Sequence, residues 1–113
     1  MNINLTEKQI ENLILNYLRA RGFYAWKNQS IGVFDPVKKI YRKSNNRHHI
    51  KGVSDIIALK QGKAVFIEVK SKTGRPSQEQ IVFMNNIKSV GGIAFIARSI
   101  EDVLNELKTH NLI

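Results

Sequence analysis

The sequence predicts an α/β domain in which helices flank a mixed sheet, and three observations lead there. Two hydroxyl-x-x-Gln boxes, Thr6-Glu7-Lys8-Gln9 and Ser77-Gln78-Glu79-Gln80, each open a stretch with apolar residues at helical spacing. Between the boxes lie two apolar runs, residues 53–59 and 64–71, joined by Lys60-Gln61-Gly62-Lys63. After the second box, residues 93–97 are apolar throughout, as in a strand buried on both faces. Helices and strands interleaved in this order pack as layers on one core.

The first helix starts after Thr6, with Leu5 and Ile10 placed as a hydrophobic staple, and carries Ile10, Leu13, Ile14, Tyr17 and Leu18 as its apolar stripe. Gly22 stops it, and residues 23–26 begin a strand. The next segment contains Asp35-Pro36, a turn signal, and is expected to form a second edge of the sheet or a long hairpin. Two strands follow, paired through a two-residue Gln61-Gly62 turn. A loop at residues 72–76 leads to the second helix, with Ile81, Met84, Ile87 and Lys88 at helical spacing and Gly91-Gly92 as its end. Ser99 with Asp102 caps a last helix carrying Val103, Leu104 and Leu107.

A chain of 113 residues, 42% hydrophobic, is of a size for one core. No run of about 18 apolar residues is present, the beginning of the chain lacks the pattern of a signal peptide, and there is no cysteine for a disulfide or thiolate site. A cytoplasmic protein without a membrane span is the expectation. The net charge is +9, and its distribution is uneven. Lys27, Lys38, Lys39, Arg42, Lys43, Arg47 and Lys51 stand against Asp35 alone, whereas residues 81–113 balance to neutrality. A basic segment of this kind favours a polyanion, with nucleic acid the leading partner. His48-His49 beside Arg47 read as part of that basic loop rather than as metal ligands, because adjacent side chains point in different directions. Trp26 reads first as core, with DNA or interface contact as the alternative.

The two central strands carry charges that apolar strands do not tolerate without partners. Pairing through Gln61-Gly62 sets Lys60 opposite Lys63, Leu59 opposite Ala64 and Ile57 opposite Phe66, and the count then brings Asp55 opposite Glu68. Opposed Cβ atoms lie about 4.5–5.5 Å apart, so the two acids repel unless a cation joins them. Oxygen ligands at this spacing suit Mg²⁺ or Mn²⁺. Strand alternation puts Phe66, Glu68 and Lys70 on one face, with Lys70 placed to meet a phosphate or a water rather than the metal. Glu11 falls on the apolar side of the first helix, between Leu15 and Leu18, where a glutamate wants a partner; a basic side chain, the metal or a water would each serve. Gln80 is explained by its capping box, and a second role is open to it at a helix N-terminus that follows the lysine strand.

With Glu11, Gly52-Val53-Ser54-Asp55, Phe66-Ile67-Glu68-Val69-Lys70 and Gln80 together, the chain resembles the PD-(D/E)XK nuclease superfamily, and within it the VRR-NUC family. It departs from the family pattern at Ser54, where proline is usual. The resemblance covers almost the whole chain and implies one nuclease domain over residues 1–113, with an αβββαβ restriction-endonuclease-like core. It also implies roles: Asp55 and Glu68 as metal ligands with the Val69 carbonyl, Glu11 completing or supporting them, Lys70 activating water or stabilising the phosphate, and Gln80 supporting Lys70 or the water. Stand-alone members are often virus-encoded and resemble Holliday-junction resolvases in being small and dimeric.

The resulting expectation is a Mg²⁺-dependent endonuclease, with Mn²⁺ able to substitute, acting as a homodimer on branched DNA such as a four-way junction. Lys27, Arg42, Lys43, Arg47, Lys51, Lys72 and Arg75 would hold the DNA, and Phe34, Ile40 and Tyr41 are candidates for the dimer interface. A monomeric flap or general nuclease and a DNA-binding module without catalysis are the alternatives.

Overall fold

The capping boxes and strand runs become ordered elements in a computed structural model that describes residues 4–29, 33–42 and 48–113. In chain order these are α1 (Glu7–Ala20), β1 (Tyr24–Lys27), β2 (Val33–Asp35), β3 (Ile40–Arg42), β4 (Ile56–Lys60), β5 (Lys63–Val69), α2 (Gln78–Ser89), β6 (Ile93–Ala97) and α3 (Ile100–Thr109). One sheet has the order β1-β4-β5-β6, antiparallel at its first two pairings and parallel between β5 and β6. A parallel pair requires a crossover, and α2 supplies it. The expected αβββαβ core is therefore α1-β1-β4-β5-α2-β6, with α3 added at its end. The basic segment holds a separate two-stranded hairpin, β2 with β3, in which Phe34 is opposite Tyr41. Of the segment's expected DNA contacts, Arg42 closes β3, whereas Lys43 and Arg47 lie outside the described residues.

Both hydroxyl-x-x-Gln boxes close reciprocally. In the first, Thr6 Oγ1 accepts the Gln9 N–H at 3.1 Å and Gln9 Oε1 accepts the Thr6 N–H at 2.9 Å. The buried stripe of α1 is Ile10, Glu11, Ile14, Leu15 and Leu18. Leu13, expected in the stripe, is 45% exposed, because the stripe centres between Ile14 and Leu18 and leaves it on the rim. The β4–β5 register matches the count from the turn at every paired position, and Gln61 and Gly62 both have positive φ, 54° and 77°, as a two-residue primed turn requires.

One face of the sheet, with Ala25, Ile56, Ala58, Val65, Ile67 and Val69, packs under α1 and α3. The other carries Phe66, Ala94 and Ile96 beneath Phe83, Met84 and Ile87 of α2. In α2 the buried residues are Phe83 and Met84, while Ile81 is half-buried. Among the described residues no helix is long and apolar enough to cross a membrane.

Candidate active site

β4 begins one residue after Asp55, and the reason is local. The ladder runs as far as Ile56 opposite Ile67. One step further the Asp55 side chain replaces the main chain as acceptor, Oδ2 taking the Val69 N–H at 2.8 Å. The Asp55 carbonyl accepts the Asn28 N–H at 2.7 Å. Asp55 is thus tied to β5 through its side chain and to the segment after β1 through its backbone. Continuing the register sets it across from Glu68, as the sequence count has it.

Glu68 is buried, with 1% of its surface exposed. Its Oε1 accepts from Gln80 Nε2 at 2.8 Å and lies 3.7 Å from Lys70 Nζ. Its Oε2 is buried with no hydrogen-bond partner. Burial is the main cause that pushes the Glu68 carboxyl up to about 8. A hydrogen bond with Asp55 and the Asp55 charge add to it, Lys70 opposes it, and Glu7 at the start of α1 adds a further repulsion. At neutral pH and without a cation, Glu68 holds its proton.

Gln80 uses both ends of its amide. Oε1 accepts the Ser77 N–H at 2.8 Å, closing the capping box, while Nε2 donates to Glu68. The helix cap and the acid are held by one side chain. The loop before Asp55 reaches the same helix end through Gly52, at φ +75°. A Cβ there would run into the Glu79 carbonyl and sit 2.7 Å from the Gln80 nitrogen, so only glycine permits the approach. Ser54 is fully buried and its Oγ has no partner.

Glu11 is buried in the middle of the α1 stripe and pairs with Lys27 Nζ at 3.0 Å. Of the partners open to it in the sequence, a basic side chain is the one it meets. Among the described residues no three His, Cys, Asp or Glu side chains gather as a metal-holding group. What the chain brings together is a pair of carboxyl groups, Asp55 and Glu68, with Asp55 anchored on the Val69 N–H. That pair fits a divalent cation that keeps several waters, and the unpartnered buried Glu68 Oε2 fits a cation ligand.

Among the expected DNA contacts, Lys51, Lys72 and Arg75 are exposed, with Lys51 4.0 Å from Glu79. Lys27 keeps 43% exposure beside Glu11. Sequence reasoning missed Arg98. Its guanidinium Nη1 donates to the Ser71 carbonyl at 2.5 Å and the Gly74 carbonyl at 2.6 Å, fastening the loop that follows Lys70. Its backbone N–H is in turn held by Asp102 Oδ2 at 2.8 Å. Its place, first polar residue beyond β6, is readable in the sequence, but its reach to this loop follows from the parallel pairing of β6 with β5, which is not.

Two carboxyl groups, a lysine and a glutamine meet at the end of a mixed sheet, and the model of the VRR-NUC domain matches residues 5–101, which makes the chain a nuclease of the PD-(D/E)XK type, a hydrolase with DNA as its substrate. The chain belongs to the VRR-NUC family. Among solved structures, one described as a VRR_NUC domain superposes with a TM-score of 0.65 at 19% identity, covering 94% of this chain and 98% of that one. At that identity the likeness is one of fold. No protein of curated function matches the chain.

Proposed function

We propose that this chain is a Mg²⁺-dependent, structure-selective DNA endonuclease that works as a homodimer on four-way junctions. The observation that carries the metal centre is the buried Glu68 oxygen without a partner, beside Asp55 and flanked on its other oxygen by Gln80 and Lys70. Asp55, Glu68 and the Val69 carbonyl would hold Mg²⁺ or Mn²⁺, with Glu11, which pairs with Lys27, as a supporting acid. Such a cation supplies Lewis-acid polarisation of the phosphodiester and a water of lowered pKa.

The chain's own residues do the rest. Gln80 orients the Glu68 carboxylate by a donor that the Ser77 cap keeps in place. Lys70, 13% exposed and on the Glu68 side of β5, brings a positive charge to where charge builds on the scissile phosphate. Lys51, Lys72 and Arg75, with the basic segment, contact flanking phosphates, which sets register without reading sequence. One chain carries one such site, and paired cuts across a junction call for two, which a two-fold dimer provides.

The test is cleavage of linear, flapped and four-way DNA with Mg²⁺ and with EDTA, beside light scattering. Cutting of the four-way substrate by a dimer, abolished by EDTA and by Glu68→Ala, is the expected result. A monomer that cuts flaps only would overturn the junction reading, and DNA binding without cutting under any metal would make the chain a binding module. Lys70→Ala that cuts as well as the parent would remove the lysine from the mechanism.

A further inference from the structure

The sheet face that carries Phe66 and Glu68 is only half covered. On that face α2 packs over Ala94, Phe66 and Ile96, on the β5–β6 side. The β1–β4 side of the same face presents Tyr24, Trp26, Ile57 and Leu59, since Tyr24 pairs with Leu59 and Trp26 with Ile57. Tyr24 is 75% exposed and Leu59 38%. The Tyr24 and Trp26 rings meet edge to face, centroids 5.5 Å apart at 72°. Two neighbouring aromatic side chains on one open face, one of them three-quarters in water, are not core residues.

Position and charge say what this face takes. From Ile57, the partner of Trp26, Asp55 is two residues along the chain on the same face, about 7 Å away at strand spacing. Glu68 follows on the neighbouring strand. A ring stacked on Tyr24 and Trp26 therefore lies within a nucleotide or two of a phosphate at the acids. The chain carries +9 overall, which suits a phosphate backbone; Lys27 lies on the other face, where it pairs with Glu11. A second copy adding a strand at this edge is disfavoured. The Ala25 carbonyl is occupied by Arg19, whose Nε and Nη2 donate to it at 3.1 and 3.0 Å. An open groove of about 340 Å³ lined by Arg19, Phe23, Tyr24, Ala25 and Trp26 runs beside the pair.

We infer that Tyr24 and Trp26 form a stacking platform for an unpaired nucleobase of the DNA substrate, next to the bond that is cut. The inference rests on the nuclease reading and names its substrate more closely: branched DNA with an unpaired base at the branch, in preference to continuous duplex. Stacking on aromatic side chains tolerates any base and needs the base out of its pair.

The experiment is binding in EDTA, so that it does not depend on cleavage. A flapped substrate, or a four-way substrate built with one extra unpaired nucleotide at the branch, carries 2-aminopurine at the unpaired position, and a fully paired duplex serves as control. With the parent chain the 2-aminopurine fluorescence is quenched on binding. Tyr24→Ala loses the quench and weakens binding to the branched DNA about 5-fold or more, with duplex binding little changed, and Tyr24→Phe restores both. Because Tyr24 is exposed, Tyr24→Ala folds as the parent does, which circular dichroism verifies. No quench with the parent, or an unchanged quench and affinity in Tyr24→Ala, would overturn the platform while leaving the cleavage test untouched. A Tyr24→Ala chain that changes oligomeric state but keeps the quench would make the face an interface between copies. Loss of cleavage by the parent in Mg²⁺ with the quench intact would instead remove the nuclease reading and keep the base contact.

Discussion

Glu68 is the residue whose state controls the site. Its folded carboxyl is raised from 4.5 to about 8, so between those values the folded protein holds a proton that the unfolded chain releases. Stability of the metal-free protein is then fully present below about pH 4.5 and falls as pH rises through 8, by a few kcal/mol at the order-of-magnitude level. Thermal melts in EDTA should show Tm decreasing from pH 5 to pH 8, and Glu68→Gln, which does not ionise, should flatten the decrease. Because a cation needs the deprotonated acid, Mg²⁺ should raise Tm more at pH 8 than at pH 6. Equal stability across that range would contradict the burial. Gln80 has two roles on one amide, and Gln80→Glu separates them. The carboxylate can still cap at that position, but it cannot donate to Glu68. Cutting should fall at least about 10-fold, while the helix cap, worth roughly 1 kcal/mol, survives. Gln80→Ala should lose both, measured by urea denaturation beside cleavage. The sequence announced the cap by its spacing; the contact with Glu68 depended on how α2 docks and was not legible there.

At the scale of elements, the signals confined to a few neighbours were readable in the chain. The two capping boxes, the Gln61-Gly62 turn and the β4–β5 register all depend on local spacing, and all are in the structure as counted. Leu13 and Ile81 illustrate the limit. Helical spacing admits several stripes, and docking against the sheet selects the one containing Leu15 in α1 and Phe83 in α2. Arg98 was invisible for a stronger reason, because its partners, Ser71 and Gly74, come near only when β6 lies parallel beside β5. That clamp has a testable consequence. The loop it fastens carries Lys72 and Arg75, both exposed, and the Lys72–Thr73 bond is its trypsin site, since Pro76 protects Arg75. Arg98→Ala should speed tryptic cleavage after Lys72 several-fold under native conditions and weaken DNA binding, while the far-ultraviolet circular dichroism stays that of the parent. Proteolysis at the parent rate would show that the loop holds its shape without the guanidinium.

For the whole molecule, charge and symmetry make separate demands. A net charge of +9 draws in any DNA, so affinity should fall steeply with salt. Replacing Lys72 or Arg75 by alanine should lower the slope of log K against log salt by about 0.9 on duplex for each phosphate no longer neutralised, without changing which DNA structure is preferred. Paired cutting, by contrast, is a demand on the number of sites, and one chain provides one Asp55–Glu68 pair. If two copies act together on a junction, a dimer of one parent chain and one Glu68→Ala chain cuts one strand and leaves its partner whole. Parent and Glu68→Ala chains are mixed, dissociated by dilution, allowed to reassociate and given a four-way substrate supercoiled in a plasmid. Nicked circles should accumulate in proportion to mixed dimers, rising to a maximum near equal amounts, while linear product falls as the square of the parent fraction. A monomeric nuclease responds differently, since added Glu68→Ala chains dilute its activity and leave the ratio of nicked to linear product unaltered. The product ratio thus reads the assembly directly, whichever surface holds the two copies together.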